Sequence, residues 1–276
     1  MNLTSMQNPQ VKAAVKLQKR IRRDETGLFL IEGSRELHHA FDRGVTIQKV
    51  FFCPEFFQGE MEDLLIQEIE SAGGAAFSCT KDVFTKMSYR DRPDGLLAIA
   101  VQMKSSLGAL ASQMGKNPLL VVIEGIEKPG NLGAILRSAD GVGANGVIVC
   151  DRCTDVYNPN VVRASIGTLF TLPVVEAVGA DTFLWLQEHK IQIVATSPTA
   201  KLDFTEADFQ GPVAIVVGTE QLGLSEMWLS VADRKVSIPM KGAADSLNVA
   251  IATTLLLYEV LRQRKMGYPL GTDLLR

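Results

Sequence analysis

The feature that most constrains this chain is a series of short, continuously apolar runs in its second half: PLLVVIEGI, GVIVC, IQIVAT, PVAIVVG and KVSIP. Stretches of helical pattern separate them, and each run is short and rich in β-branched residues, as strands are. A strand with one wet face alternates apolar and polar residues, whereas a strand apolar throughout is covered on both faces. Residues 118–276 are therefore predicted to form a parallel sheet covered by helices. The last helical pattern, LNVAIATTLLLYEVLRQR, is apolar nearly all round through Leu257. Such a helix is buried against the sheet or against a second subunit.

Residues 1–104 have a different texture and read as a small α/β unit. Pro9 suits the start of a helix running to about Arg20, with Val11, Ala14 and Val15 as its apolar stripe. LFLIEG reads as a buried strand before a helix that stops at Gly44, and IQKVFFC as a second strand. MEDLLIQEIESAGG is an amphipathic helix ended by Gly73 and Gly74, and GLLAIAVQM is a strand after the turn residues Arg92, Pro93, Asp94 and Gly95. Between the two halves, residues 105–117 (SSLGALASQMGKN) have a linker's composition with some helical character.

Composition excludes several classes. With 46% hydrophobic and 21% charged residues the chain has ample material for buried cores. No apolar run approaches the roughly 18 residues of a membrane span, and the N-terminus lacks a signal-peptide core, so a cytoplasmic protein is expected. Cys150 and Cys153 form a C-x-x-C, but without a second pair at zinc-site spacing they read as core thiols and no metal is expected. The net charge of −3 rules out a uniformly basic nucleic-acid binder but not a local basic face. The first 23 residues carry Lys12, Lys16, Lys19, Arg20, Arg22 and Arg23 and no acid, which describes either a solvated helix face or such a patch.

Three loops follow strands of the predicted parallel sheet, where ligands of open α/β sheets gather. EGIEKPGNLGAILR turns through Pro129 and Gly130 into a helix whose first amides favour an anion. Its glycines do not match the G-x-G-x-x-G of a dinucleotide site, although Asp151 stands near the distance of a ribose-binding acid. VGTEQLGLS places Gly218 and Gly223 where backbone can approach closely, with Ser225 suited to cap the next helix. IPMKGAADSLNVA ends a strand at Pro239 and enters the last helix through Ser246, Leu247 and Asn248, with Ser246 suited to an N-cap.

Taken in this order and spacing, the three loops resemble the signature motifs of the SpoU (TrmH-like) family of RNA 2′-O-ribose methyltransferases. N-x-G-x-x-x-R is matched by Asn131, Gly133 and Arg137, G-x-E-x-x-G by Gly218, Glu220 and Gly223, and I-P-M-x-G-x-x-x-S-L-N-V by residues 238–249. NPQVK, FLIEG and RPDGLLAI in the first part resemble the substrate-binding domain that many members carry. The resemblance implies a trefoil-knotted α/β methyltransferase domain (residues 118–276) behind a small α/β RNA-binding domain (1–104) and the linker 105–117. It implies S-adenosylmethionine held by backbone around Thr196, Gly218, Ile238, Met240 and Leu247, and a homodimer whose subunits both contribute to the site.

The same resemblance makes Arg137 the first candidate for an essential residue. A guanidinium stays protonated, so its role would be to clamp a phosphate and stabilise the developing alkoxide. Asn131, Glu220, Ser246 and Asn248 would orient the reacting groups. YNPNVVRASIG, between the first two motifs, offers Arg163 as a phosphate contact, and an RNA substrate turns Lys16, Lys19, Arg20 and Arg23 into candidate RNA contacts, with Arg92 a weaker one. Ribosomal RNA is favoured over transfer RNA because of the separate N-terminal domain. The competing readings are a tRNA ribose methyltransferase, an RNA-binding or ribosome-assembly protein without catalysis, and, more distantly, a nicotinamide-linked oxidoreductase.

Overall fold

The computed structural model describes residues 2–59, 61–151, 154–219 and 221–266. In chain order these form β1 (Asn2–Leu3), α1 (Pro9–Lys16), α2 (Arg20–Thr26), β2 (Leu28–Glu32), α3 (Ser34–Asp42), β3 (Ile47–Phe52), α4 (Glu62–Ser71), β4 (Ala75–Cys79), α5 (Lys81–Met87) and β5 (Leu96–Val101). They continue with α6 (Leu107–Gln113), β6 (Leu119–Glu124), α7 (Pro129–Gly141), β7 (Gly146–Cys150), α8 (Pro159–Ser165), α9 (Thr168–Thr171) and β8 (Val174–Ala177). The rest are α10 (Gly179–Glu188), β9 (Gln192–Thr196), β10 (Leu202–Asp203), β11 (Val213–Val217), α11 (Glu226–Val231), β12 (Arg234–Ser237) and α12 (Val249–Met266). Two compact units result: residues 1–104 with 155–171, and residues 105–154 with 172–276.

The first unit is built on a mixed sheet of order β1-β4-β3-β5-β2. β5 runs antiparallel between β3 and β2, and Leu96 to Ala100 along it are all buried. Val11, Ala14 and Leu17 pack with Phe51, Phe84 and Leu97 in the core. The helix expected from Pro9 to about Arg20 is in fact two. α1 closes at Leu17, Lys19 is extended at φ −94° and ψ 131°, and α2 starts at Arg20 and ends on Gly27 in the left-handed region at φ +64°. The break carries Arg23 inward. It is 1% exposed, donates from Nε to Asp155 at 2.7 Å, and also bonds the Leu17 carbonyl. Asp155 opens the segment bearing α8 and α9, which packs on β2 through Phe29, whose ring lies 4.6 Å from that of Tyr157 and 6.1 Å from that of Phe170.

The second unit holds a seven-stranded sheet of order β10-β12-β9-β11-β6-β7-β8, parallel at every pairing. β11 lies inside it, with Val213 through Val217 at most 1% exposed, as continuous apolar runs require. Leu120, Val122, Ile148, Val216 and Trp228 share one core cluster, and Leu110 of α6, within the expected linker, is fully buried in it. α12 packs on α7 and β11. It is not apolar on every buried face: Thr253 and Glu259 are buried, while Ile251, Leu255 and Tyr258 are exposed. Among the described residues no helix is long and apolar enough to cross a membrane.

Candidate active site

Parallel strands point their carboxyl ends one way, and in the second unit those ends carry the three loops. β12, β9 and β11 are neighbours, so Thr196 closing β9, Gly218 after β11 and Ile238 after β12 lie along one stretch of the sheet edge. β6, next to β11, delivers the loop into α7.

The loops are tied together by side chains. Asn131, in the first turn of α7, accepts a hydrogen bond at Oδ1 from Asn248 Nδ2 at 3.1 Å. The Asn248 Oδ1 accepts from Ala250 N at 3.0 Å and Ile251 N at 3.4 Å, so Asn248 caps α12, the duty that Ser246 was expected to perform. Ser246 itself is exposed. Farther along, Ser138 Oγ and Thr254 Oγ1 lie 2.6 Å apart and lock α7 to α12. Arg137 stands exposed on α7, with no carboxylate partner among the described residues.

The second loop folds back on itself. Thr219 N donates to the Gly223 carbonyl and Gly223 N to the Thr219 carbonyl, each at 3.0 Å, and Leu222 N donates to Thr219 Oγ1 at 2.9 Å. A Cβ on Gly218 would come 2.6 Å from Leu224 N, closer than a side chain can stand, and Gly223 has φ +68°. The two motif glycines thus serve the loop's own turn. Glu220 lies outside the described residues, as does Cys153. Ser225 sits at the N-cap of α11 without a side-chain capping bond; its N–H donates instead to Glu124 Oε2 at 2.7 Å. Glu124, at the end of β6, therefore joins the first loop to the second. Sequence reasoning gave it no role, since its partner lies 101 residues away.

An open cleft of about 110 Å³ lies between the first two loops, lined by Gly125, Ile126, Glu127, Lys128, Asn131, Thr219, Gln221, Leu222 and Val249. Of the expected catalytic group Asn131 lines it; of the expected cofactor group, Thr196, Gly218, Ile238, Met240 and Leu247, none does. Thr196, Gly218 and Ile238 sit at the neighbouring strand ends, and Met240 and Leu247 lie on the loop between β12 and α12. There the main chain of residues 238–247 makes no hydrogen bond among the described residues, which leaves a run of amides and carbonyls open to a ligand. A planar base and a polar amino-acid tail need donors and acceptors of this kind, so the residues present fit the expected cofactor. Asp151, weighed as a ribose-binding acid, accepts instead from Gly179 N at 3.2 Å and holds the start of α10. Among the described residues no cluster of histidine, cysteine, aspartate and glutamate could hold a metal.

The expected RNA contacts divide. Lys16, Lys19, Arg20 and Arg163 are exposed, and Arg20 pairs with Asp24 at 3.5 Å. Arg23 does not belong with them, because its guanidinium is buried against Asp155. Arg92 is exposed.

Comparison with known proteins agrees with this geometry. Residues 118–258 match the SpoU rRNA Methylase family, and residues 8–98 match the MRM3-like substrate binding domain. A 23S rRNA (uridine(2479)-2′-O)-methyltransferase from Streptomyces viridochromogenes is 31% identical over 91% of this chain and 88% of its own. The crystal structure of an AdoMet-bound rRNA methyltransferase from Sinorhizobium meliloti superposes with a TM-score of 0.87 at 32% identity, covering 95% of this chain and 97% of that one. The SpoU methyltransferase AviRb from Streptomyces viridochromogenes, in complex with AdoMet, gives 0.84 at 30% identity over 94% and 100%.

Proposed function

Because the chain belongs to the SpoU family of RNA methylases, with that family's substrate-binding domain before the methylase domain, we propose that it is an S-adenosylmethionine-dependent RNA 2′-O-ribose methyltransferase acting on ribosomal RNA. The observation that carries this reading is the Asn131–Asn248 hydrogen bond, which draws the first and third motif loops into one site. The rRNA substrates of the Streptomyces and Sinorhizobium relatives support the choice of RNA.

In this reading the main chain around Thr196, Gly218, Ile238, Met240 and Leu247 holds S-adenosylmethionine in a knotted segment. When bound there it supplies an electrophilic methyl group. The protein's part is to align a ribose 2′-hydroxyl for in-line attack and to favour its oxygen as negative charge grows. Arg137 does this as a permanent cation: its fork grips the adjacent phosphate and lies near the developing alkoxide, without serving as a base. Asn131 and Asn248 fix the two loops relative to one another, Ser246 and Glu220 complete the polar set, and the cleft beside Asn131 receives the nucleotide. The exposed stripe Ile251, Leu255 and Tyr258 on α12 recurs at helical spacing and forms the contact of a homodimer. A cytoplasmic enzyme without a metal is in keeping with this chemistry.

The test is methyl transfer from labelled S-adenosylmethionine to ribosomal RNA lacking the modification, with Arg137→Ala alongside. Label at one ribose 2′-oxygen, lost in the variant, is the expected result. Failure of the parent protein to bind the cofactor would overturn the reading.

A further inference from the structure

The loop between α5 and β5 is held with unusual care for a stretch that carries no catalytic motif. Glu32, at the end of β2 and 8% exposed, accepts hydrogen bonds from Ser88 Oγ, from Tyr89 N at 2.7 Å and from Arg90 N at 3.4 Å. The Arg90 guanidinium turns inward to the Glu32 carbonyl at 2.9 Å, to Glu36 at 2.7 Å and to Asp94 at 3.3 Å. Asp94 in turn accepts from Ser34 N at 3.0 Å. Burial pushes the Glu36 carboxyl above its ordinary range, with Arg90 opposing the shift. A buried polar network of this kind fixes a backbone in one conformation.

What the network presents is an aromatic ring. Tyr89 is 46% exposed, and no other ring stacks on it among the described residues. Its hydroxyl accepts from Asn160 Nδ2 on α8 at 2.9 Å, which sets the ring's orientation. Arg163 is three residues beyond Asn160, hence its neighbour on the surface of α8, and is exposed with no acidic partner among the described residues. The loop also exposes Asp91 and Arg92, whose charges offset one another.

We propose that Tyr89, oriented by Asn160 and flanked by Arg163, is a stacking platform for an unpaired RNA base whose phosphate Arg163 holds. The ring stands among polar groups rather than in an apolar patch, which disfavours a protein partner and suits a base between phosphates. A rigid ring loses little freedom on binding, and every base offers a face to stack on. A duplex keeps its bases stacked inside and gains nothing from the ring, so this platform selects single-stranded loops. The inference rests on the RNA reading of the chain but not on its catalysis.

The experiment is fluorescence anisotropy of the full chain with a labelled single-stranded RNA of roughly 12 nucleotides and with the blunt duplex of the same sequence. Tyr89→Ala is expected to weaken single-strand binding about 10-fold, the loss typical of one stacked base, and to leave duplex binding within about 2-fold. Tyr89→Trp keeps a ring and should restore the single-strand affinity. Melting curves of both variants check that they fold. Equal loss for single strand and duplex, or a Tyr89→Ala variant that binds both as the parent does, would overturn the platform. A parent that transfers no methyl group yet shows the Tyr89-dependent preference would retain the platform and sink the enzymatic reading. Transfer lost in Arg137→Ala, with single-strand binding indifferent to Tyr89, would do the reverse.

Discussion

The two ends of the seven-stranded sheet each carry an arginine on a helix, and the two arginines are treated in opposite ways. At the amino ends of β6 and β11, Arg264 of α12 donates to the carbonyls of Phe209, Asn117, Pro118 and Gly211 at 2.8 to 3.2 Å, and to Asn117 Oδ1 at 3.3 Å. Gln263 beside it bonds Ala207 O and Phe209 N, each at 2.9 Å. The donors of Arg264 and Gln263 are thus committed to the fold. Toward the carboxyl ends, where α7 begins, Ser246 is exposed, and among the described residues Arg137 of α7 has no such partners and the main chain of residues 238–247 makes no hydrogen bond. An arginine whose donors meet the fold's own acceptors is a fastener, whereas the ligand role proposed for Arg137 needs donors that the fold does not occupy. Among the bonds at the open end, Asn131 to Asn248 and Ser225 to Glu124 join loop to loop.

The sharpest test of this contrast is Arg137→Ala. In the proposed reaction this removes the charge that would stabilise the developing oxyanion, and kcat is expected to fall about 10³-fold. Stability should move by less than about 0.5 kcal/mol, since the side chain is exposed and makes no hydrogen bond or ion pair among the described residues. A large drop in melting temperature would erase the difference between the two ends. Arg23 extends the contrast to the first unit, where sequence placed it among RNA contacts. Arg23→Met strands the Asp155 carboxylate, 10% exposed, and is expected to cost about 3 kcal/mol in chemical denaturation, with Arg23→Met/Asp155→Leu recovering most of it. Unchanged stability with weakened RNA binding would return Arg23 to the surface group.

Arg264→Met comes next. Five acceptors lose their donor, but several of them reach water, so about 2 kcal/mol is expected rather than the sum of five bonds. Methyl transfer measured well below the melting temperature should stay close to that of the parent. Loss of transfer in a fully folded Arg264→Met protein would mean that the amino end is not merely a fastener.

The legible part of this molecule is what local pattern controls. Continuous apolar runs marked β6, β7, β9, β11 and β12, and spacing brought out the three loops that the sheet then sets on one edge. Short strands with little apolar content, such as β10, left no such mark, and neither did the division of the first helix at Leu17. The helix break answers to Asp155, 132 residues away, and Glu124 answers to an amide 101 residues away. Periodicity cannot report a partner at that distance. The capping of α12 shows the same limit on a smaller scale. Ser246 and Asn248 are both good N-cap residues, and the choice between them was settled by where α12 begins and by the bond from Asn248 to Asn131.

The smallest predicted effect probes the closed end through pH. Glu259 accepts from Arg262 at 2.7 and 2.8 Å and from Gln263 at 2.8 Å, and the Arg262 hydrogen bond is the main cause that holds its carboxyl below the ordinary value of 4.5, against the opposing pull of burial. A carboxyl whose folded pKa is depressed adds stability above its unfolded pKa, and that contribution disappears as pH falls through the folded value. Glu259→Gln should therefore melt a little below the parent at pH 7, with the gap closing as the pH is taken below about 4.5. Arg262 is 53% exposed, so solvent screens the pair and the gap will be small. A gap that persists unchanged at acid pH would show that Glu259 works by positioning Gln263 against Ala207 and Phe209. The fastening at this end would then belong to hydrogen-bond geometry and owe nothing to charge.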